Sequence, residues 1–216
     1  ADENGENADE LIGAALCNAE DDIILVSKLG MSLKFQANDE QLRPMGRQTA
    51  GVQGMKFREG DELLDMDVVW GDSDKDLFVV TNEGFAKRTA ISEYRLQGRN
   101  GFGVKAVQLA EGRGSLVGAV IVEEDDQIMA IMKSGKVIRS NVDEVKRTGR
   151  TTQGVTFAKP DKNDEIISIA RNEEKDDDES AENATVNEDT AQSSESAVEA
   201  PAETNAESGD GENVEA

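Results

Sequence analysis

The residues with the clearest chemical potential are lysines and arginines that return at a fixed distance along the chain. Three segments read Gly-Arg-x-x-x-Gly-Val, at 46–52, 98–104 and 149–155, so the motif recurs after 52 and then 51 residues. Cations spaced regularly on a folded surface can hold a polyanion backbone by counterion release. Successive backbone N–H groups in such glycine-rich loops can also cradle phosphates.

The basic side chains gather around these Gly-Arg motifs and after the glycine of a short turn in each unit. The candidate DNA-binding residues are Lys34, Arg43, Arg47, Lys87, Arg88, Arg95, Arg99, Lys105, Lys136, Arg139, Lys146, Arg147 and Arg150. Two structural interpretations stay open beside this one. Charged residues at strand ends commonly only discourage pairing between sheet edges, and arginines in such loops can simply cap backbone carbonyls.

Other kinds of chemistry are excluded by composition. Histidine is absent and Cys17 is the single cysteine. Ser-His and Cys-His catalysis, an internal disulfide and a cysteine-rich zinc site are therefore ruled out, and we expect no metal or cofactor on this chain. The formal net charge of −23 also excludes a uniformly basic nucleic-acid binder.

Most of that negative charge lies at the two ends. Residues 173–216 contain sixteen acidic residues and one lysine, with almost no branched aliphatic residues, which predicts a disordered acidic tail. Residues 1–10 carry five acidic groups and are expected to form a linker or inter-blade loop. The remaining body, 11–172, has 22 basic and 25 acidic residues and is long enough for one domain. No apolar run approaches the roughly 18 residues of a membrane helix, so we expect a cytoplasmic protein without membrane contact.

The elements that must position the basic residues are short strands. Each unit has two apolar runs of four to seven residues, bounded by glycine, aspartate or asparagine, and long helical periodicity is missing. The first runs begin at Leu11, Leu63 and Leu116, and a fourth copy begins at Ile166. Gly30, Gly84 and Gly135 occupy short links that predict hairpin turns. A fixed period of about fifty residues predicts an all-β, propeller-like radial array of blades.

Acidic residues occupy a different position, or slot, within each repeat unit from the basic ones. The pattern predicts that this slot is the first hairpin turn of the unit. The acidic residues are Glu20, Asp21 and Asp22, then Asp72, Asp74 and Asp76, then Glu123, Glu124, Asp125 and Asp126. Because each slot of a radial array returns at the same height and radius, we expect one positive and one negative rim.

Four strings in order carry a family resemblance. They are LRPMGRQTAGVQGM from Leu42, TNEGFAKRT from Thr81, EYRLQGRNGFG from Glu93 and GRTTQGV from Gly149. Over residues 11–172 the chain resembles the later blades of the C-terminal domain of the DNA gyrase A subunit, and an acidic tail follows, as in that family. The family's Gln-Arg-Arg-Gly-Gly-Lys-Gly box does not occur, and QGRNGFG, residues 97–103, is a weakened echo of it.

The resemblance implies a β-pinwheel of six blades when complete, about three of which are present here. It implies that duplex DNA wraps around a basic outer rim, and that the holoenzyme introduces negative supercoils with ATP. ATP and Mg²⁺ would be bound by the gyrase B subunit, the partner in an A2B2 heterotetramer. The cleavage domain is missing, so this part has no catalytic site of its own, although the parent protein is an ATP-dependent isomerase.

Several alternatives remain beside this interpretation. The chain could be the related C-terminal domain of the topoisomerase IV A subunit, or a non-catalytic propeller that binds a peptide. Tyr94 is expected to pack at a strand end, and Phe102 either to contact DNA or to pack between blades. The acidic tail either competes with DNA for the basic rim or serves only as a solubilising extension.

Overall fold

The computed structural model describes residues 10–71 and 74–172, and it is built from β-strands. The predicted acidic tail, the predicted N-terminal linker up to residue 9, and Asp72 lie outside the described residues. The strands are β1 Asp22–Ser27, β2 Met31–Gln36, β3 Leu63–Val69, β4 Asp76–Thr81, β5 Phe85–Ala90, β6 Val104–Lys105, β7 Leu116–Val122, β8 Gln127–Met132, β9 Val137–Asn141, β10 Val155–Thr156 and β11 Ile166–Asn172. Single 3-10 turns follow β5 and β9, at Ile91–Glu93 and Val142–Glu144.

The strands form three successive sheets, which confirms the predicted blades. Their strand orders are β3-β1-β2-β6, β10-β5-β4-β7 and β11-β8-β9. Each sheet is centred on one antiparallel hairpin: β1 with β2, β4 with β5, β8 with β9. The first apolar run of the following unit pairs with the near side of that hairpin, as β3, β7 and β11. Consecutive units therefore share each blade, and the fourth copy at Ile166 completes the third sheet.

The hairpin turns depend on glycine as predicted. Gly30, Gly84 and Gly135 have φ values of 82°, 82° and 87°, in the left-handed region that other residues avoid. At Gly84 a Cβ atom would also collide with the backbone oxygen of Ala158, so the turn packs directly against a later loop.

The hydrophobic core lies between neighbouring sheets. Every residue of β4 is buried, which confirms that both of its faces are covered. Leu77 and Val79 pack with Ile24 of β1 in one cluster, whereas Phe78 and Val80 pack with β8 in another. Alternate side chains of a strand point to opposite faces, so β4 joins the first and third sheets through its two faces.

Two predictions about elements are wrong. The run from Leu11 to Cys17 forms no strand, and Leu11 and Leu16 are 85% and 92% exposed. Its counterparts β3, β7 and β11 each pair with the hairpin of a preceding unit, whereas the run at Leu11 pairs with no hairpin of the described residues. The acidic segments do not form hairpin turns either, because β3 and β4 belong to different sheets and the segment between them connects two blades.

Candidate nucleic-acid interface

The second and third Gly-Arg motifs lie on the far edges of the first two hairpins, opposite β3 and β7, whereas the first motif pairs with no strand of the described residues and adjoins the second motif. After the second motif, β6 pairs with β2, and after the third, β10 pairs with β5. Ahead of these short strands the same segments run beside the hairpins, where Leu96 bridges to Lys34 and Arg147 to Arg88. We call the three segments 43–54, 95–105 and 146–156 the loop edge.

Hydrogen bonds join each segment of the loop edge to the next. Arg99 Nη1 donates to the backbone oxygen of Gln53 at 2.8 Å, and the backbone N–H of Asn100 donates to Gly54 at 2.7 Å. One unit later Arg150 Nη1 donates to the backbone oxygen of Lys105 at 3.1 Å. Like-placed loops therefore adjoin one another, and two of the motif arginines cap backbone carbonyls.

Lys87 strengthens the same junction from inside. It is 1% exposed, and its Nζ donates to the backbone oxygens of Ala106 and, at 2.6 Å, Arg150. Burial lowers the pKa of this ammonium group to about 8. The expectation that Lys87 lies on a DNA-facing rim conflicts with this position, because its charged group is enclosed by the carbonyls of two loops.

Arg88 is also inside the domain, 5% exposed, with its Nε 3.4 Å from the buried carboxylate of Asp76. Arg147 reaches the same carboxylate at 2.9 Å and Asp74 at 3.1 Å. Burial raises the pKa of Asp76, and the hydrogen bond from Arg147 opposes that rise without cancelling it. In this blade the carboxylates neutralise two of the predicted DNA-binding arginines.

The first blade repeats that pairing, since Lys34 Nζ lies 3.4 Å from the carboxylate of Asp22. The predicted separation into one positive and one negative rim is therefore wrong for these two blades. The acidic segment precedes the first hairpin strand, and the antiparallel register places that end beside the end of the second strand. Opposite charges from the two slots consequently meet there.

A set of three cations stays exposed on the loop edge. Arg43, Arg95 and Lys146 each lie three residues before the motif glycine, and we call them the basic triad. Within the part of the chain that the structure describes, none of the three makes a hydrogen bond or ion pair. The triad therefore presents one uncompensated positive charge per sequence repeat.

The remaining candidates differ in how far they are engaged. Arg47 and Lys136 are exposed, as is Lys105, whose Nζ donates to Gln108 Oε1 at 2.5 Å. Arg139 is exposed on β9, outside the loop-edge segments, and its Nε donates to Gln127 Oε1 at 2.6 Å.

Two basic residues beside the loop edge were missed by the sequence analysis. The Arg58 guanidinium carbon lies 5.9 Å from the ring centroid of Phe102. The Arg113 guanidinium lies 4.3 Å from the ring centroid of Phe85, and its Nη1 donates to the backbone oxygen of Gln153 at 3.2 Å. Each arginine shortly precedes a first apolar run, at Leu63 and Leu116. That shared position is a signal in the sequence, whereas the aromatic partners are not.

Tyr94 lies in the hydrophobic core, 2% exposed, which confirms its packing role, and burial raises the pKa of its hydroxyl. Among residues 10–71 and 74–172, no group of acidic or cysteine side chains is arranged to hold a metal ion. No helix in the same ranges has the length and apolar character needed to cross a bilayer.

Comparison with known proteins places these repeats in a family. The family model described as DNA gyrase C-terminal domain, beta-propeller, matches residues 21–69, 75–123 and 126–173. The DNA gyrase A subunit of Streptomyces coelicolor is 55% identical over 166 residues, which cover 77% of this chain and 19% of that protein. The corresponding protein of Mycolicibacterium smegmatis is 50% identical over 193 residues, covering 89% and 22%. The chain thus spans about a fifth of the length of these relatives.

Solved structures agree on the fold. The structure of a DNA gyrase A C-terminal domain matches with a TM-score of 0.64 at 29% identity, over 70% of this chain and 50% of that one. A crystal structure of the C-terminal domain of DNA topoisomerase IV gives a TM-score of 0.70 over 77% and 51%, and its 22% identity shows the fold alone. With three matched repeats and relatives at about half identity, the chain belongs to the DNA gyrase C-terminal domain family.

Proposed function

We propose that this chain binds duplex DNA along the loop edge and bends it, as the DNA-wrapping part of a DNA gyrase A subunit. The observation that carries the proposal is the basic triad, because Arg43, Arg95 and Lys146 are exposed, unpaired within the described residues, and repeated once per sequence repeat. Phosphates along a duplex present negative charge at regular intervals, which a periodic row of cations can match.

The adjoining loops give this row its rigidity. Arg99 and Arg150 direct their hydrogen bonds to backbone carbonyls of the preceding loop, so they fix the distance between successive triad members. Contacts to phosphate carry little sequence information, so specificity comes mainly from how easily a given duplex bends. Exposed Arg47 and Lys105 extend the same surface, whereas Lys87 and Arg88 support it from inside.

For the parent protein we propose the activity that its relatives' name denotes. The gyrase A subunit would form an A2B2 assembly in the cytoplasm, with ATP and Mg²⁺ on the B subunit, and would introduce negative supercoils. The described residues contribute DNA binding to that cycle and no catalytic group. This proposal rests on the identity of about 50% to DNA gyrase A subunits.

A salt titration of DNA binding tests the role of the triad. The variant Arg43→Gln, Arg95→Gln, Lys146→Gln should lower the slope of log affinity against log salt by about 2 to 3, because each lost phosphate contact removes about 0.9. A matched control, Lys133→Gln, Lys159→Gln, Lys162→Gln, removes the same charge from exposed positions outside the three loop-edge segments and should leave most of that slope intact. Both can be measured by fluorescence anisotropy on one duplex.

Equal slopes for the two triple variants would remove the triad from the interface. If the parent chain bound an acidic protein resin as well as it binds DNA at matched salt, the peptide-binding propeller would be the better interpretation.

A further inference from the structure

Phe102 is an exposed aromatic residue on the second Gly-Arg loop. It is 47% exposed, lies between Gly101 and Gly103, and follows Asn100, whose φ of 62° is unusual for a residue other than glycine. Burying such a ring is normally favourable, so its exposed position on the loop edge leaves apolar surface that a ligand could cover.

The backbone of the loop is held in place on both sides of this ring. The backbone N–H of Lys56 donates to the Gly101 oxygen at 2.8 Å, and Val104 pairs with Ser32 of β2. Gly103, with a φ of 71°, approaches the Ser32 backbone oxygen so closely that a Cβ atom would collide with it. Because the backbone on both sides of the ring is anchored, a ligand that contacts the ring has only its side-chain rotations to order.

The fold itself does not require an aromatic residue at this position. The corresponding position of the first loop holds Ala50 and that of the third loop holds Gln153. Packing between blades therefore does not explain Phe102. Its ring contacts the guanidinium of Arg58, which lies 5.9 Å from the ring centroid. Arg58 is itself exposed, so the pair presents an apolar ring next to a positive charge.

A duplex bound on the loop edge would contact both cations and an apolar ring. Cations on the loop edge attract phosphates, whereas an apolar ring gains nothing from phosphate and favours the sugar faces and base edges in a groove. Apolar side chains that enter the minor groove partly unstack a base step and bend the duplex. Such steps are deformed most easily when a pyrimidine precedes a purine.

We propose that Phe102 enters the minor groove of duplex DNA on the loop edge and partly unstacks one base step there. This inference rests on the proposed function, since it needs a duplex on that edge. It assigns to the second Gly-Arg loop, on the edge of the first sheet, a bending contact that the first and third loops lack, so the duplex would be bent unevenly along the loop edge.

The test uses the intact protein that carries this chain and a duplex with 2-aminopurine at a central TA step. Phe102→Gln gives the second loop the side chain that the third loop already has, so the fold should tolerate it. We expect about tenfold weaker binding, an unchanged salt slope, and loss of the fluorescence increase that reports unstacking. Phe102→Leu should keep most of the affinity, because leucine is also an apolar wedge.

The matched control is Trp70→Gln, which removes another exposed aromatic residue, 50% exposed and just beyond β3 on the opposite edge of the first sheet. It should leave affinity and fluorescence unchanged.

The inference is overturned if Phe102→Gln binds as tightly as the parent protein, or if it changes the salt slope as a lost phosphate contact would. If Arg95→Gln weakens binding and Phe102→Gln does not, phosphate binding stands and the wedge fails. If the parent protein does not bind duplex DNA, the proposed function fails first.

Discussion

At the scale of single residues, the position of a cation decides its role. Arg95 and Lys146 are exposed and free for a ligand, Arg99 and Arg150 cap backbone carbonyls, and Lys87 is enclosed. The residue type is nearly constant across these positions, whereas solvent exposure and the nearest oxygen atoms differ. An ammonium group without solvent loses hydration energy that two carbonyl oxygens replace only in part.

Lys87 should give the fold a measurable pH dependence. Its pKa is about 8 in the folded chain and 10.5 unfolded, so between these values the unfolded chain holds more protons and stability rises with pH. From pH 8 to 10 the free energy of unfolding should rise by about 2 kcal/mol relative to Lys87→Met. Urea unfolding of both proteins across this range measures the difference, and other titrating groups cancel. A constant difference would show that the folded ammonium group keeps its ordinary pKa.

At the scale of elements, two glycines allow the short strands β6 and β10 to pack against the hairpins. Gly103 and Gly154 precede these strands with φ values of 71° and 78°. A Cβ atom would collide with the backbone oxygen of Ser32 at the first glycine and of Ala86 at the second. These collisions involve main-chain atoms, which cannot turn away as a side chain can.

Gly154→Ala should therefore lower the free energy of unfolding by about 3 kcal/mol, from left-handed backbone strain and the collision with Ala86 together. Gly135→Ala is the matched control, because its φ is 87° and its Cβ would meet open space. There we expect a cost of about 1 kcal/mol. Equal costs, measured by urea unfolding, would show that the third Gly-Arg loop does not depend on close packing against β5.

The hairpins could be predicted from sequence because each signal is local: an apolar run, a turn glycine and a second run. The pairing of β3 with β1 could not, since a long loop separates the run at Leu63 from the end of β2 at Gln36 and nothing in the sequence shows which blade the run joins. For the same reason, the sequence could not show that the run at Leu11 stays unpaired. The burial of Lys87 and Arg88 could not be predicted from sequence either, because strand alternation does not show that a neighbouring loop covers the polar face.

At the scale of the whole molecule, three blades place three loops side by side, and the triad follows from that repetition. The acidic tail at 173–216 lies outside the described residues, and its competition with DNA for the loop edge stays a prediction. Because the loops are joined by hydrogen bonds, a duplex that contacts all three must follow their arrangement or lose contacts. We therefore expect a duplex bound along the three loops to bend.

Ligation of nicked circular DNA in the presence of the intact parent protein tests that claim most directly, because wrapped DNA is sealed with an altered linking number. We expect the parent protein and the Lys133→Gln, Lys159→Gln, Lys162→Gln control to shift the topoisomer distribution. The triad variant should shift it much less at a concentration where each protein still occupies the DNA. An unshifted distribution for the fully bound parent protein would contradict wrapping on the loop edge, and an equal shift for the triad variant would place the DNA elsewhere.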